Sequence, residues 1–377
     1  MSAFRALMAQ REARAALAVW TLVPTVFLFF ALTLAVDPTA HLDRIRLGVT
    51  SLDQGVVTPE GQVAIGPRLV EALHAQLGAE VVPYPTEGDL REAVLARDVA
   101  GAIVVPAGMT QDLQAGRPVE VRLIRSDAND VFTNALTTNL ATQLASNINT
   151  ALPAMLRGGS PAPTLVSVGV ESVAATTDFR FVTVPATILL PVWMASVAFG
   201  ALLARAGDRD RQTAGVAPTG LAEMAYALLG AAVAAAAVTS SIAAFTWRWD
   251  IDLAGLFGFL WLGLTAIALL VLGTIRVVGF ELGVLLGVAA SFVQQPVSGA
   301  TFPSSFAPDA VRWAEPVAPL RYIVEGLRNL LIGGSTTSDM AAALAALAAA
   351  GALLVVVGIM RLWLASGRRS APAAASA

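Results

Sequence analysis

Residues 253–275 read LAGLFGFLWLGLTAIALLVLGTI, 23 positions without a single charge. About 20 apolar residues in a helix cross the roughly 30 Å hydrocarbon core of a bilayer, so this run is long enough to span one. Outward from it, comparable runs occupy 221–245, 182–204, 277–293 and 340–364, and a further one stands alone at 16–36. The pattern predicts an α-helical polytopic membrane protein with six transmembrane helices, in which a polar insert separates the first from the second. Pro24, Pro185 and Pro191 fall inside spans and predict kinks, which neighbouring helices can accommodate by satisfying the freed carbonyls.

Composition agrees with a membrane class. Of 377 residues 56% are hydrophobic and 14% charged, and mean hydropathy is +0.69; soluble domains average roughly 45–50% and 25%. With no cysteine there is no disulfide and no thiolate site. All 24 of the Lys+Arg residues are Arg. A nucleotide-binding P-loop needs its lysine to reach the phosphates, so any ATP hydrolysis must come from another chain. The net charge of −3 and the lack of a basic stripe speak against a nucleic-acid partner. Arg-only, Ala-rich usage suggests a GC-rich bacterial genome.

Arg5, Arg11, Arg14, Arg205, Arg209, Arg211, Arg276, Arg361, Arg368 and Arg369 fall on one side of alternating spans. Arg248, Arg312, Arg321 and Arg328 fall on the other. By the positive-inside rule both termini are cytoplasmic and the insert lies outside a plasma or inner membrane. A cleaved signal is the alternative for 16–36, but the run exceeds the usual signal core and lacks a small-x-small exit. Trp20, Trp193, Trp247, Trp249 and Trp363 are placed near span ends as interfacial indoles.

The chain thus divides into a first part, 1–36, an extracytoplasmic α/β domain, 37–180, and a five-helix transmembrane part, 181–377, with a C-terminal tail. In the insert, β-rich runs at 45–50, 80–83, 100–105 and 119–123 alternate with helical ones at 67–76 and 87–96. A long helix is expected over about 129–152, with Phe132, Leu136, Leu140, Leu144, Ile148 and Leu152 in one row. That row packs on the domain's own sheet or on a second subunit. GGSPAP at 158–163 reads as the linker back to the membrane. Asp127 and Asp130 suit capping of the long helix, and two histidines, His41 and His74, do not make a metal site.

Span five carries Gly279, Gly283, Gly287 and Ser291 at four-residue spacing, a small-residue face for close helix packing inside the subunit or for a dimer contact. Arg276 and Glu281 flank its start, and a structural ion pair is the plain reading. After it come Gln294, Gln295, Pro296, Ser298 and Gly299, then Pro303, Pro308, Pro316 and Pro319. The prolines break the helix until 320–331, so an outer hairpin over about 294–335 with an interfacial helix is expected.

An external domain after span one, a Pro-x-Ser-Gly turn (Pro296, Ser298, Gly299) and a Pro-x-x-Tyr helix (Pro319, Tyr322) ending in Leu327-Arg328 resemble the type-2 ABC exporter permeases. The layout is similar to the branch containing the phage infection protein family, whose domain opens with a strand and an Asp-x-Gly turn, here 47–50 with Asp53 and Gly55. The resemblance implies a permease that dimerises, with itself or with a related permease, and works with a separate cytoplasmic ABC ATPase. ATP and Mg belong on that partner, and no cofactor on this chain. It also implies ATPase contact through the N-terminal segment, with Arg11 and Arg14, and through the connection at 205–220, with Arg205, Arg209 and Arg211.

Three functions follow: an ATP-driven exporter permease moving a hydrophobic drug, lipid or envelope component, a receptor or secretion accessory binding partners through its external domain, and an intramembrane enzyme. The last lacks a nucleophile–base pair or ligand set in the spans.

Overall fold

The computed structural model describes residues 42–58, 61–66, 79–155, 165–176, 179–247, 249, 251–334 and 336–369. The first predicted span, the helical run at 67–76, the linker at 158–163, Arg11 and Arg14 lie outside these.

The polar region forms one mixed sheet with helices on both faces. Its strands are β1 (Arg46–Ser51), β4 (Glu80–Pro83), β5 (Gly101–Val105), β6 (Val119–Arg125) and β7 (Val166–Ser172), in the order β4-β1-β5-β6-β7, beside a small hairpin of β2 (Val56–Thr58) and β3 (Gly61–Val63). β1 runs parallel to both β4 and β5, β6 is antiparallel to β5, and β7 parallel to β6. All five residues of β5 are buried, as expected of a central strand covered on both faces. Helix α1 (Glu87–Ala96) covers one face with Leu90, Ala93 and Val94. A short α2 (Met109–Gln114) follows β5, and α3 (Val131–Met155) covers the other face with Leu140, Ala141 and Leu144. The row from Leu136 to Ile148 therefore packs on its own sheet, and Leu152 lies outside the described side chains. Asp130 caps α3 by accepting from Thr133 N at 2.7 Å. Asp127, also expected to cap, instead accepts from Thr176 N at 3.0 Å and ties the exit of β7 to the sheet. The domain continues past the expected linker, since β7 adds its edge strand at 166–172.

Among the described residues, five helices are long and apolar enough to cross a membrane: α4 (Phe179–Ala214), α5 (Val216–Thr246), α6 (Leu253–Val278), α7 (Phe280–Val297) and, after the short α8 (Pro319–Leu331), α9 (Ser338–Arg369). The chain is a multi-pass membrane protein. α6 is the hub: 67% of its apolar window is buried, against 22–33% in the other four. Its closest neighbour is α9, where glycines let the backbones meet. A Cβ on Gly273 would stand 2.8 Å from the Gly351 carbonyl, and one on Gly351 2.6 Å from Leu270 N. Close backbone approach is how helices associate where lipid supplies no hydrophobic drive.

The expected connection at 205–220 is not a loop. α4 runs on to Ala214, about 54 Å at 1.5 Å per residue, and only Gly215, at φ 89°, separates it from α5. Residues 205–213 include Ala206, Gln212 and three arginines, good helix formers, with an Asp208–Arg211 pair at i,i+3, so polarity there did not mean irregular backbone. Trp193, expected at a span end, lies mid-helix in α4 and is 4% exposed, because it packs into the bundle core against α7 with its Nε1 donating to the Gly287 carbonyl.

Candidate functional site

Two polar assemblies cap the bundle, one where it meets the sheet domain and one at its distal end. At the domain end, Pro296 sits in the last turn of α7 and Ser298 caps it, its hydroxyl donating to the Gln295 carbonyl at 2.8 Å. Gly299, at φ 69°, then turns the chain, a conformation glycine adopts without a Cβ penalty. Residues 300–318 pass through short helical turns, and Pro319 opens α8 at a position where the missing N–H is no loss. Arg328 of α8 reaches back across the hairpin and donates to the carbonyls of Gly299 and Ala300 at 2.7 and 3.1 Å. The two motifs thus meet: the Leu-Arg end of the helix holds the Pro-x-Ser-Gly turn. Tyr322 donates its hydroxyl to the Pro316 carbonyl at 2.8 Å, and Gln294 accepts from Leu320 N at 3.3 Å, so the helix is pinned at both ends. Leu320, Ile323, Val324 and Leu327 join the bundle core, so α8 is a packed element rather than one resting on a membrane surface.

The hairpin is also built into the sheet domain. Phe306 lies in the domain's core, with its ring 5.6 Å from that of Phe132 on α3, and Phe302 stands 5.2 Å from the same ring. Arg44 donates to the carbonyls of Ser305 and Ala307, and Arg97 to Asn329 Oδ1 at 2.8 Å. Neither contact was legible in the sequence, because the partners lie more than 200 positions apart.

At the distal end, Arg276 of α6 is 6% exposed and Glu223 of α5 3%. Arg276 Nε donates to Glu223 Oε2 at 2.9 Å, Nη2 to Glu223 Oε1 and to the Ala204 carbonyl, and Nη1 to Asp208 Oδ1 at 2.8 Å. The expected pairing with Glu281 does not form, because Gly279 breaks the chain between α6 and α7 and leaves Glu281 exposed. Gly207 makes room for this cluster, since a Cβ there would overlap Glu223 Oε1. Of the three arginines expected to face a partner, Arg211 pairs with Asp208, and Arg205 lies 4.3 Å over the Phe280 ring. Arg209 is exposed and forms no ion pair among the described residues.

The small-residue row splits. Gly279 lies at the break, φ 102°, outside α7. Gly283, Gly287 and Ser291 are buried in the same chain: Gly283 against Ile275, Gly287 against Val197, with Trp193 Nε1 donating to the Gly287 carbonyl at 2.8 Å.

A family model described as ABC-2 family transporter protein matches residues 15–360. The chain belongs to this family. It is the membrane permease subunit of an ABC transporter and not itself the ATPase. No curated protein and no solved structure matches it. Among the described residues of this ABC-2 permease, no group of three His, Cys, Asp or Glu side chains could hold a metal ion. An apolar groove of about 430 Å³ opens between α4, α5 and α6, lined by Pro191, Phe199, Gly230, Val238 and Leu264 among others. It can receive an alkyl or aromatic group but offers little to orient a polar one.

Proposed function

We propose that this ABC-2 permease is the membrane half of an exporter for a hydrophobic drug, lipid or envelope component, near the phage infection protein branch. In this reading a sixth span at 16–36 precedes the sheet domain, the domain lies outside, and both termini are cytoplasmic. Two permease chains, identical or related, form the conduit, and separate ATPases bind ATP and Mg and dock on the distal end, where Arg209 is exposed. The family match carries this reading. The continuous α4, the buried charge cluster and the apolar groove add to it: a force applied near Arg209 is carried along a helix that borders the groove and ends at the sheet domain.

The test is co-purification of the tagged chain from native membranes with a P-loop ATPase, followed by reconstitution of the pair. Vanadate-sensitive ATP hydrolysis that drives a fluorescent amphiphile across the vesicle membrane is the expected result. A chain that recruits no ATPase from membranes where it is expressed natively overturns the reading.

A further inference from the structure

Arg97 and Arg328, from the sheet domain and from α8, line one cavity of about 250 Å³ at the seam between domain and hairpin. Its charged lining is Arg44, Arg46, Arg97 and Arg328 against Asp98, Asp130 and Glu325. Three of these are matched by ion pairs. Arg44 pairs with Asp309 at 3.4 Å, Arg46 with Glu80 at 3.4 Å, and Glu325 with Arg321 at 3.3 Å. Arg97 and Arg328 have no carboxylate within ion-pair distance among the described residues; their hydrogen bonds go to the Asn329 side chain and to two carbonyls. Arg328 is 5% exposed, and its Nε is buried without any hydrogen-bond partner.

Burying a guanidinium against neutral oxygens alone leaves its desolvation largely uncompensated. The cost shows in titration: burial pushes Arg328 down to about 10 and holds Arg97 below the usual arginine range. The carboxylates that act on these guanidiniums do so from beyond ion-pair distance: Glu325 is paired with Arg321, and Asp130, which acts on Arg328, has its carboxyl pushed up by burial and both oxygens occupied by Thr133 at 2.7 and 2.6 Å. Arg97 takes the left-handed conformation, φ 63°, as the C-cap of α1, its N–H bonded to the Ala93 and Val94 carbonyls, which fixes where its side chain leaves the helix. The fold therefore desolvates two cations from separate elements at one space.

We propose that this cavity binds a phosphate group, clamped between the guanidinium groups of Arg97 and Arg328. A tetrahedral oxyanion offers several acceptors to two planar donors, and Ser304 and Ser305 also line the cavity. The seam lies at the domain-side ends of α7 and α8, so the group can belong to a lipid headgroup or to a free phosphate. Bound, it ties the sheet domain to the hairpin through charge as Phe306 does through packing. The site stands apart from ATPase docking and is tested without it.

The full chain in nonionic detergent is titrated with sodium phosphate and, separately, with dihexanoyl phosphatidylglycerol, with binding read by calorimetry and by the shift in Tm. Saturable binding of either is expected. Phosphatidylglycerol alone identifies the headgroup as the source, and phosphate alone identifies the free anion. Arg97→Gln, at a half-buried site, weakens binding at least tenfold, Arg97→Lys retains part of it, and Asp130→Asn strengthens it. Arg328→Gln is a second arm, read only if it unfolds cooperatively. Failure of both probes to saturate, or wild-type binding by Arg97→Gln, overturns the proposal.

Discussion

Arg276 and Glu223 form a two-point ion pair with both side chains almost wholly enclosed, 5% and 3% exposed, joining α6 to α5 inside the distal end of the bundle. Removing one partner strands the other charge, which typically costs about 3–5 kcal/mol, whereas replacing both by apolar residues is often neutral. Arg276→Met or Glu223→Met alone is expected to lower Tm sharply in detergent. The double variant is expected to recover much of the loss, with Asp208 still paired to Arg211. A double variant as unstable as the worse single one would show that the pair is not an isolated unit.

Gly287→Leu tests what the small-residue row packs against. A Cβ there would already stand 3.2 Å from Val197 Cγ2, so a leucine must push α7 off α4 and break the Trp193 bond to the Gly287 carbonyl. Lower thermal stability and altered Trp193 fluorescence are expected in the isolated chain. Unchanged stability together with lost self-association would return the row to an intersubunit face.

Asp53 links the sheet domain's stability to acid. Burial raises its pKa, but the Thr110 hydroxyl and the N–H groups of Gly66, Thr110 and Gly55 together bring it below 3.8. A carboxylate with a depressed folded-state pKa contributes stability above its unfolded value, about 3.9, and loses it as pH falls through the folded value. Asp53→Asn is therefore expected to destabilise the domain at pH 7, by about 2 kcal/mol for its hydrogen bonds to a charged acceptor, and to flatten the acid limb of a Tm-against-pH curve. Equal acid sensitivity in variant and parent would remove Asp53 from that limb.

The five apolar helices and the sheet strands β1, β4, β5 and β6 were legible because each depends on local pattern: a long uncharged run or a short β-branched one bounded by turns. β7 was not, since VSVGVES carries a glycine and three polar residues and is fixed as a strand only by parallel pairing with β6. The helical continuation of α4 past Arg205 was hidden by the habit of reading charge as loop. The sites fared likewise. Gly299, Tyr322 and Arg328 were marked by their motifs, but that Arg328 holds Gly299, and that Arg97 lies beside it, are facts of tertiary structure no spacing encodes.

Orientation is testable because the chain has no cysteine. Thr142 on α3 and Ala206 on α4 are both exposed, one in the sheet domain and one at the distal end. With the domain outside, Thr142→Cys labels with an impermeant maleimide in intact cells, and Ala206→Cys labels only after permeabilisation. The reverse pattern would invert the topology.

Arg209 separates docking from folding. Arg211 is committed to Asp208 and stands 4.0 Å from Glu223, so reversing its charge disturbs the buried cluster as well as any surface contact. Arg209 is exposed and forms no ion pair among the described residues, so Arg209→Glu changes the face offered to a partner while leaving the cluster intact. Exposed ion pairs contribute about 0–1 kcal/mol each, and a charge reversal replaces attraction with repulsion, so a several-fold weaker ATPase association is expected, steepest at low salt. The measurement is ATPase retention by the tagged permease across a salt series, with Tm as a control for folding. Full retention by Arg209→Glu at low salt would place the docking surface elsewhere. Loss of retention by Arg211→Glu with a fallen Tm would report only the damaged cluster.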